Sequence, residues 1–196
     1  MSRYRNAMLQ GTLQRMRAHP LLATAVERLP VEMVQHIEQE SARAFVPIAY
    51  DLAIAQAITD ALSTDEVHVF VRQNLAANAE RKLLRSIVRS VLRIYGPSVT
   101  QAFGHVPVAF AAIYQDCGRM DVSGVPGRLM LRWVDIPECM QGHVSYFDVV
   151  GSSLAAVYGF CDAVGDVERV HHPDADVEEY VARWTPQADE KFSAFR

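Results

Sequence analysis

The fold is decided by the stretch from Tyr114 to Trp184, which reads YQDCGRMDVSGVPGRLMLRWVDIPECMQGHVSYFDVVGSSLAAVYGFCDAVGDVERVHHPDADVEEYVARW. Its first part contains two runs in which apolar and polar residues alternate, Arg119–Val125 and Arg128–Asp135, with Pro126-Gly127 between them. Alternation of this kind is typical of half-buried strands, and Pro-Gly is favourable turn chemistry. We therefore predict an antiparallel hairpin at this point of the chain.

A nearly apolar run follows the hairpin, from Val144 to Phe160. It is shorter than the ~20 residues that a membrane-spanning helix needs, and it contains Asp148, so we expect a buried helix and no membrane span. Beyond it, the strand-like segments Val167–Val170 and Glu178–Trp184 flank a polar turn. The order hairpin, helix, hairpin predicts a compact binding module over residues 114–184.

The first 113 residues carry apolar side chains at helical spacing, with Pro, Gly and capping residues between the segments. We expect a single α+β domain over residues 1–196, in which a helical N-terminal layer of about five or six helices packs on a small antiparallel sheet of about four strands, crossed by the long C-terminal helix. Residues 185–196 are expected to form a tail. Helices are predicted over residues 4–17, 21–29, 30–40, 48–62, 65–77 and 79–95, with a broken helix over 97–115.

Composition and charge exclude several classes of function. Half of the residues are apolar and 21% are charged, as in an ordinary soluble globular protein. The net charge of −4 gives no overall attraction to nucleic acid or to anionic membranes. Cys117, Cys139 and Cys161 are an odd number at wide spacing, which argues against a disulfide framework and favours a reducing cytoplasm. The polar N-terminal segment predicts no secretory signal.

Four short motifs stand out in this layout: Tyr114-x-x-x-Gly118 before the hairpin, Asp135-Ile136-Pro137 after it, Gly151 inside the helix and Glu179-Tyr180-x-x-x-Trp184 in the final strand. In these motifs the chain resembles a myxobacterial family whose C-terminal part is similar to the heme-NO-binding and vinyl-reductase ligand-binding superfamily. That resemblance implies a helical layer on an antiparallel sheet, often dimeric, that holds a small apolar ligand, a lipid chain, a heme or another protein. It also implies sensing or scaffolding in place of catalysis.

Aromatic residues of the C-terminal module are the candidate ligand-pocket residues. Between helix and sheet they could wall an apolar pocket, or they could fill that space as core. The candidates are Tyr114, Trp133, Tyr146, Tyr158 and Trp184. For heme, the resemblance asks for an axial histidine on a helix that lines such a pocket, and His105 and His143 are the candidates, although neither lies in a recognisable heme motif. We expect no bound cofactor.

A basic stripe marks the predicted helix 79–95, where arginine recurs every four residues. It could dock an acidic protein surface, or it could be a solvent-facing helix whose charges pair with neighbouring carboxylates. The candidate partner-binding residues are Arg81, Arg85, Arg89 and Arg93.

The densest group of potential metal ligands is the turn His171-His172-x-Asp174-x-Asp176. Imidazole and carboxylate together could hold a zinc or nickel ion. Adjacent strand residues point to opposite faces, however, so His171 and His172 cannot easily share an ion, and we expect a solvated turn and no metal. Many members of the superfamily carry cysteines at this turn, whereas this chain has none there.

No catalytic constellation appears in the chain. Ser152-Ser153 follows Gly151 but lacks the second glycine and the preceding strand of a nucleophile elbow. We therefore predict no catalytic residue and no enzyme. The function expected from the sequence is a non-enzymatic cytoplasmic regulatory or scaffolding module that binds a partner protein, as a homodimer. The alternative is a sensor domain that encloses a small apolar ligand or heme between helix and sheet.

Overall fold

The computed structural model describes residues 1–79, 82–170, 172, 174 and 176–186. Helices and two antiparallel sheets make up the described chain, which confirms the predicted α+β class. The helices are α1 Asn6–Ala18, α2 Ala23–Glu27, α3 Val31–Gln39, α4 Ile48–Ala61, α5 Thr64–Ala79, α6 Lys82–Tyr95, α7 Val99–Gly104, α8 Val106–Ile113, α9 Val144–Ala155 and α10 Val157–Phe160. The strands are β1 Arg3–Arg5, β2 Phe45–Pro47, β3 Tyr114–Gln115, β4 Arg119–Val125, β5 Arg128–Val134, β6 Gly165–Val170 and β7 Glu178–Trp184.

The larger sheet has the strand order β4-β5-β7-β6, all antiparallel. Its inner face carries every second residue of β5 and β7, as the alternation predicts, and Leu131, Trp133 and Tyr180 are completely buried there. The predicted succession of hairpin, helix and hairpin is confirmed, with α9 between β5 and β6.

Helix α9 crosses this inner face at close range. A Cβ on Gly151 would lie 3.2 Å from the ring of Tyr180, and the Tyr180 hydroxyl donates to the Phe147 carbonyl over 3.0 Å. The missing side chain at Gly151 therefore allows helix and sheet to approach each other closely. At the other edge of α9, Arg169 on β6 donates to both oxygens of Glu178 (2.7 and 2.6 Å) and to Asp148 (3.1 Å), which joins the helix to the β6–β7 hairpin.

The predicted long C-terminal helix is not continuous, because it breaks at Ala156 into α9 and α10. The hydroxyls of Ser152 and Ser153 donate to the carbonyls four residues earlier, 2.9 and 3.0 Å away, and such back-bonding bends helices. The Ala156 amide then bonds to the Ser153 carbonyl three residues back (3.1 Å), which tightens the turn and ends α9.

A second sheet of order β2-β1-β3, absent from the prediction, ties together distant parts of the chain. Tyr4 pairs with Val46 on one side and with Tyr114 on the other. Residues predicted as the start of the first helix and as a loop before α4 are therefore strands. The described part of the region before β4 has eight helices, more than the five or six expected, because the predicted broken helix over 97–115 supplies two helices, α7 and α8, in addition to the six before it.

Helices α1 to α5 form their own apolar core, in which Leu9, Leu13, Met16, Ile37 and Ile54 are all buried. Among the helices that the structure describes, none combines the length and the apolar character needed to cross a bilayer.

Gly118 begins the hairpin in a conformation that side chains rarely adopt (φ +83°), and a Cβ there would overlap the carbonyl oxygens of Val134 and Asp135. We expect Gly118→Ala to lower the free energy of unfolding by about 2 kcal/mol or more, because strain and overlap add. Urea unfolding followed by circular dichroism measures it. The control is Gly159→Ala in α10, where nothing lies within 4 Å of the added methyl group. Equal stability losses in both variants would contradict the proposed overlap.

Candidate functional site

A cavity of about 170 Å³ lies where α1, α5, α6, α8 and α9 come together beside the hairpin. Met8, Leu75, Val91, Ala109 and Leu154 provide one wall residue from each of these helices. Its volume is close to that of an engineered apolar cavity of about 150 Å³ that binds benzene. The cavity therefore has room for a ligand of about the size of one aromatic ring.

Helix α6 forms one wall of this cavity. Val88, Val91 and Leu92 line the cavity, whereas Arg85, Arg89 and Arg93 are exposed. This is the amphipathic arrangement that the four-residue spacing predicts. Arg81 lies outside the described residues. The role of these arginines in binding a partner stays a prediction.

Of the two histidines considered as axial ligands, only His105 lines the cavity. It sits at the α7–α8 junction, where its Nδ1 lies 2.8 Å from the Gln101 carbonyl oxygen. A carbonyl can only accept, so this contact places the ring proton on Nδ1 and the lone pair on Nε2. His143 precedes α9 as an exposed residue and is not a lining residue.

The structure separates Tyr114 from the other predicted pocket residues. Tyr114 lines the cavity, stacked on Phe110 with ring centroids 4.3 Å apart. The other four are buried in the core of the larger sheet and are not lining residues of the cavity: Trp133, Tyr146, Tyr158 and Trp184. Tyr114 is thus the predicted residue that borders this cavity, and the ligand-contacting role of all five residues stays a prediction.

A chain of hydroxyl groups runs from the cavity wall to a carboxylate. The Tyr114 hydroxyl lies 2.9 Å from the Tyr146 hydroxyl, which donates to Asp51 Oδ2 over 2.7 Å. Tyr4, also a lining residue, contacts the Tyr114 ring edge-on at 5.0 Å. The four residues come from β1, α4, β3 and α9. No local sequence pattern could have identified Asp51 or Tyr4 as neighbours of Tyr114.

Burial governs the acid–base properties of this chain. It raises the pKa of Asp51 from 3.8 to about 7, against the opposing effect of the hydrogen bond from Tyr146. Burial first, and the Asp51 carboxylate second, raise the pKa values of Tyr4, Tyr114 and Tyr146 well above that of an exposed tyrosine. The tyrosines are therefore neutral at physiological pH, and Asp51 is the group that titrates.

The proposed metal turn is only partly described, because His171 lies outside the described residues. His172 is held by its neighbours: one ring nitrogen lies 3.3 Å from Arg132 Nη2, and the other accepts from the Asp174 amide over 3.2 Å. Within the described residues, no three His, Cys, Asp or Glu side chains are grouped closely enough to hold a metal ion.

One serine–histidine contact was not predicted. Nδ1 of His68 lies 2.6 Å from Oγ of Ser152, but that hydroxyl donates its proton to the Asp148 carbonyl and Ser152 is only 3% exposed. A nucleophile needs to give its proton to the base and to reach a substrate. The contact therefore packs α5 against α9 without the geometry of a catalytic pair.

No protein-family model matches the sequence, and a search of the curated proteins finds no match. Solved structures do match over nearly the whole chain. An H-NOX protein variant from S. oneidensis in the Fe(II) ligation state has a TM-score of 0.62 and 12% identity, covering 96% of this chain and 100% of its own. The Fe(II) unliganded H-NOX protein from K. algicida has a TM-score of 0.60 and 7% identity, covering 94% and 98%. The fold is that of the H-NOX proteins.

A T. tengcongensis H-NOX mutant agrees, with a TM-score of 0.60 and 9% identity over 93% of this chain and 98% of its own. The similarity to the heme-NO-binding superfamily that the short motifs predicted is thus confirmed at the level of the fold. At these identities the H-NOX likeness describes the path of the backbone, and the side chains of the cavity decide what this chain can hold.

Asp51 makes the stability of the protein depend on pH. Because its pKa is about 7 in the folded state and near 3.8 when unfolded, the folded state binds the extra proton between these values. The free energy of unfolding therefore falls as pH rises from about 4 to 7, by up to ~1.4 kcal/mol per pH unit. Asp51→Asn is expected to remove this slope, whereas Asn at the exposed Asp60 of the same helix keeps it. Parallel urea unfolding curves at pH 5 and 7.5 measure both, and an unchanged slope in Asp51→Asn would refute the assignment.

Proposed function

We propose that this protein is a sensor domain that encloses a small apolar ligand in the cavity between α6, α8 and α9. The carrying observation is the cavity of about 170 Å³, whose described wall is aliphatic and aromatic apart from the hydroxyl and imidazole groups of Tyr4, His105, Tyr114 and Ser153. An apolar cavity of this size is stable without water and gains free energy when an apolar molecule fills it. The position of the cavity beside α6 also supports sensing, because one face of α6 lines the cavity and its other face is exposed to solvent.

Heme is the ligand that the structural neighbours suggest, since they include H-NOX proteins in Fe(II) states and an H-NOX structure that probes the function of heme distortion. One feature of this chain fits heme. His105 presents Nε2 as the lone-pair nitrogen and holds its Nδ1 proton on a backbone carbonyl, the arrangement usual for a metal-ligating histidine.

Two other features do not fit heme. The cavity has the volume of about one aromatic ring, whereas a porphyrin contains four pyrrole rings linked into a macrocycle. Heme also carries two carboxylates, and no lysine or arginine is present among the described lining residues. Burying these carboxylates without cations would be unfavourable. On size and charge the described residues suit a small neutral ligand and not heme.

Filling the cavity tests the proposal. Ala109 lines it on α8, so Ala109→Leu is expected to weaken the binding of toluene, used as an apolar probe, at least about tenfold by occupying its space. Ala111→Leu on the exposed side of the same helix is the control and keeps wild-type affinity. Binding is followed by NMR shifts of the methyl groups around the cavity.

Two results would contradict the proposal. Wild-type protein that shows no saturable binding of toluene would mean that the cavity does not accept apolar ligands. A Soret band that appears on titration with hemin and is lost in His105→Ala would identify heme as the ligand and overturn the argument from size and charge.

A second candidate function, binding of a partner protein, is supported by the two faces of α6. The helix contacts the cavity through Val88, Val91 and Leu92 and presents Arg85, Arg89 and Arg93 to solvent. A ligand that shifts α6 would therefore move a positively charged surface, which suits an acidic partner. The two functions are compatible, with ligand binding as input and partner binding as output. A homodimer and a cytoplasmic location stay predictions.

Charge reversal at Arg85 and Arg89 tests this second function. A partner identified by cross-linking in cells is purified and titrated by calorimetry against wild-type protein and the double variant Arg85→Glu/Arg89→Glu. We expect at least about tenfold weaker binding and a smaller salt dependence in the variant, because steering charges are lost. The double variant Arg28→Glu/Arg43→Glu, at two exposed positions outside α6, is the control for added negative charge. Unchanged affinity would exclude this face as the docking surface.

A further inference from the structure

We infer that the ligand of the cavity is a small aromatic molecule with one hydrogen-bond donor, a phenol, and that its donor is received by the tyrosine chain that ends at Asp51. This inference rests on the proposed function and names the chemical class of the ligand for the same cavity.

The walls favour an aromatic ligand. Phe110, Tyr114, Tyr4 and Phe160 line the cavity, and ring faces and edges pack best against another ring. Phe110 is itself held in place, stacked on Tyr114 at 4.3 Å and edge-on to Trp133 at 4.8 Å. A ring that enters this space therefore meets a preformed aromatic wall, which lowers the ordering cost of binding.

The direction of the hydrogen bonds favours a donor on that ligand. A tyrosine has one hydroxyl proton, and that of Tyr146 is donated to Asp51. The contact between the Tyr114 and Tyr146 hydroxyls at 2.9 Å is then made by the proton of Tyr114. The Tyr4 hydroxyl in turn donates to the Tyr114 oxygen, so neither oxygen has a proton left for the cavity and their remaining lone pairs can only accept.

The Ser153 hydroxyl at the cavity wall also requires a donor on the ligand. Ser153 donates its proton to the Val149 carbonyl over 3.0 Å, so it too offers only an acceptor to the cavity. A ligand whose polar group is only an acceptor could not hydrogen-bond to the oxygens of Tyr4, Tyr114 and Ser153, because no proton would lie between them. A ligand with an O–H group supplies that proton, and the chain from Tyr114 to Asp51 orients the acceptor that receives it.

Three matched probes test this inference by calorimetry: toluene, p-cresol, and 4-methylanisole, in which the phenol proton is replaced by a methyl group. We expect p-cresol to bind roughly tenfold more tightly than toluene, the effect of one buried hydrogen bond. The anisole should have no such advantage. The order would reverse if the cavity presented donors.

A substitution in the hydroxyl chain at a residue outside the cavity wall tests whether the direction of its hydrogen bonds determines ligand preference. Tyr146 does not line the cavity, so Tyr146→Phe leaves its shape unchanged while it releases the Tyr114 proton from its partner. The advantage of p-cresol over 4-methylanisole should fall, because the freed Tyr114 proton can then be donated to the anisole oxygen, with toluene affinity preserved. Tyr158→Phe, which removes a buried hydroxyl outside the chain, is the control and keeps the advantage. If Tyr146→Phe does not fold, Tyr114→Phe gives the same readout.

The outcomes separate this inference from the proposed function. Equal affinities for all three probes in wild-type protein would overturn the inference and leave an apolar sensor cavity. A p-cresol advantage that survives in both Tyr146→Phe and Tyr114→Phe would also overturn it. No binding of any probe would instead remove the proposed function on which it rests.

Discussion

The burial of Trp133 is the interaction on which the rest of the structure depends. Its indole N–H donates to the Cys117 carbonyl over 2.6 Å, and no part of the side chain is exposed. Around its ring lie Phe110 of α8 at 4.8 Å, Tyr114 of β3 at 5.2 Å and Phe147 of α9 at 5.6 Å. One side chain of the larger sheet therefore positions two helices and a strand of the smaller sheet. Since Phe110 and Tyr114 also form the cavity wall, the geometry of the cavity is set from the core outward.

The C-terminal module could be predicted from sequence because its signals are local. Alternation places Leu131 and Trp133 on one face, and the apolar run from Val144 makes α9 a buried helix. The smaller sheet has no such signal. Its strands have two or three residues, too few for a period to be visible, and Tyr4 finds Val46 and Tyr114 only through tertiary pairing. The same distance in sequence hides the chain from Tyr114 to Asp51, which is assembled from three separate elements.

Periodicity also fails to tell a residue that lines a cavity from one that fills a core. The pattern identifies the buried face, but the space that this face meets depends on the elements packed against it. Tyr158 illustrates this: its hydroxyl donates to the carbonyls of Asp166 and Arg183 (2.8 and 3.0 Å), so it fastens α10 to the edge of the sheet. A large part of the described cavity wall comes instead from aliphatic residues of α5, α6 and α8 whose helical spacing is that of ordinary core.

The buried Asp51 carboxyl group lowers the stability of the folded protein at neutral pH, and the cavity gives a physical reason for its presence. A carboxyl group with a pKa near 7 is one whose ionised form is disfavoured by burial. An apolar side chain at position 51 would avoid that cost, but it would leave the Tyr146 proton without its acceptor and the hydroxyls of Tyr114 and Tyr4 without a fixed direction. A fixed hydrogen-bond direction has an effect only if another molecule bonds to the hydroxyl groups that it orients. Tyr4 and Tyr114 border the cavity, and Tyr146 connects them to Asp51. The molecule that interacts with the oriented hydroxyl groups is therefore the ligand of that cavity.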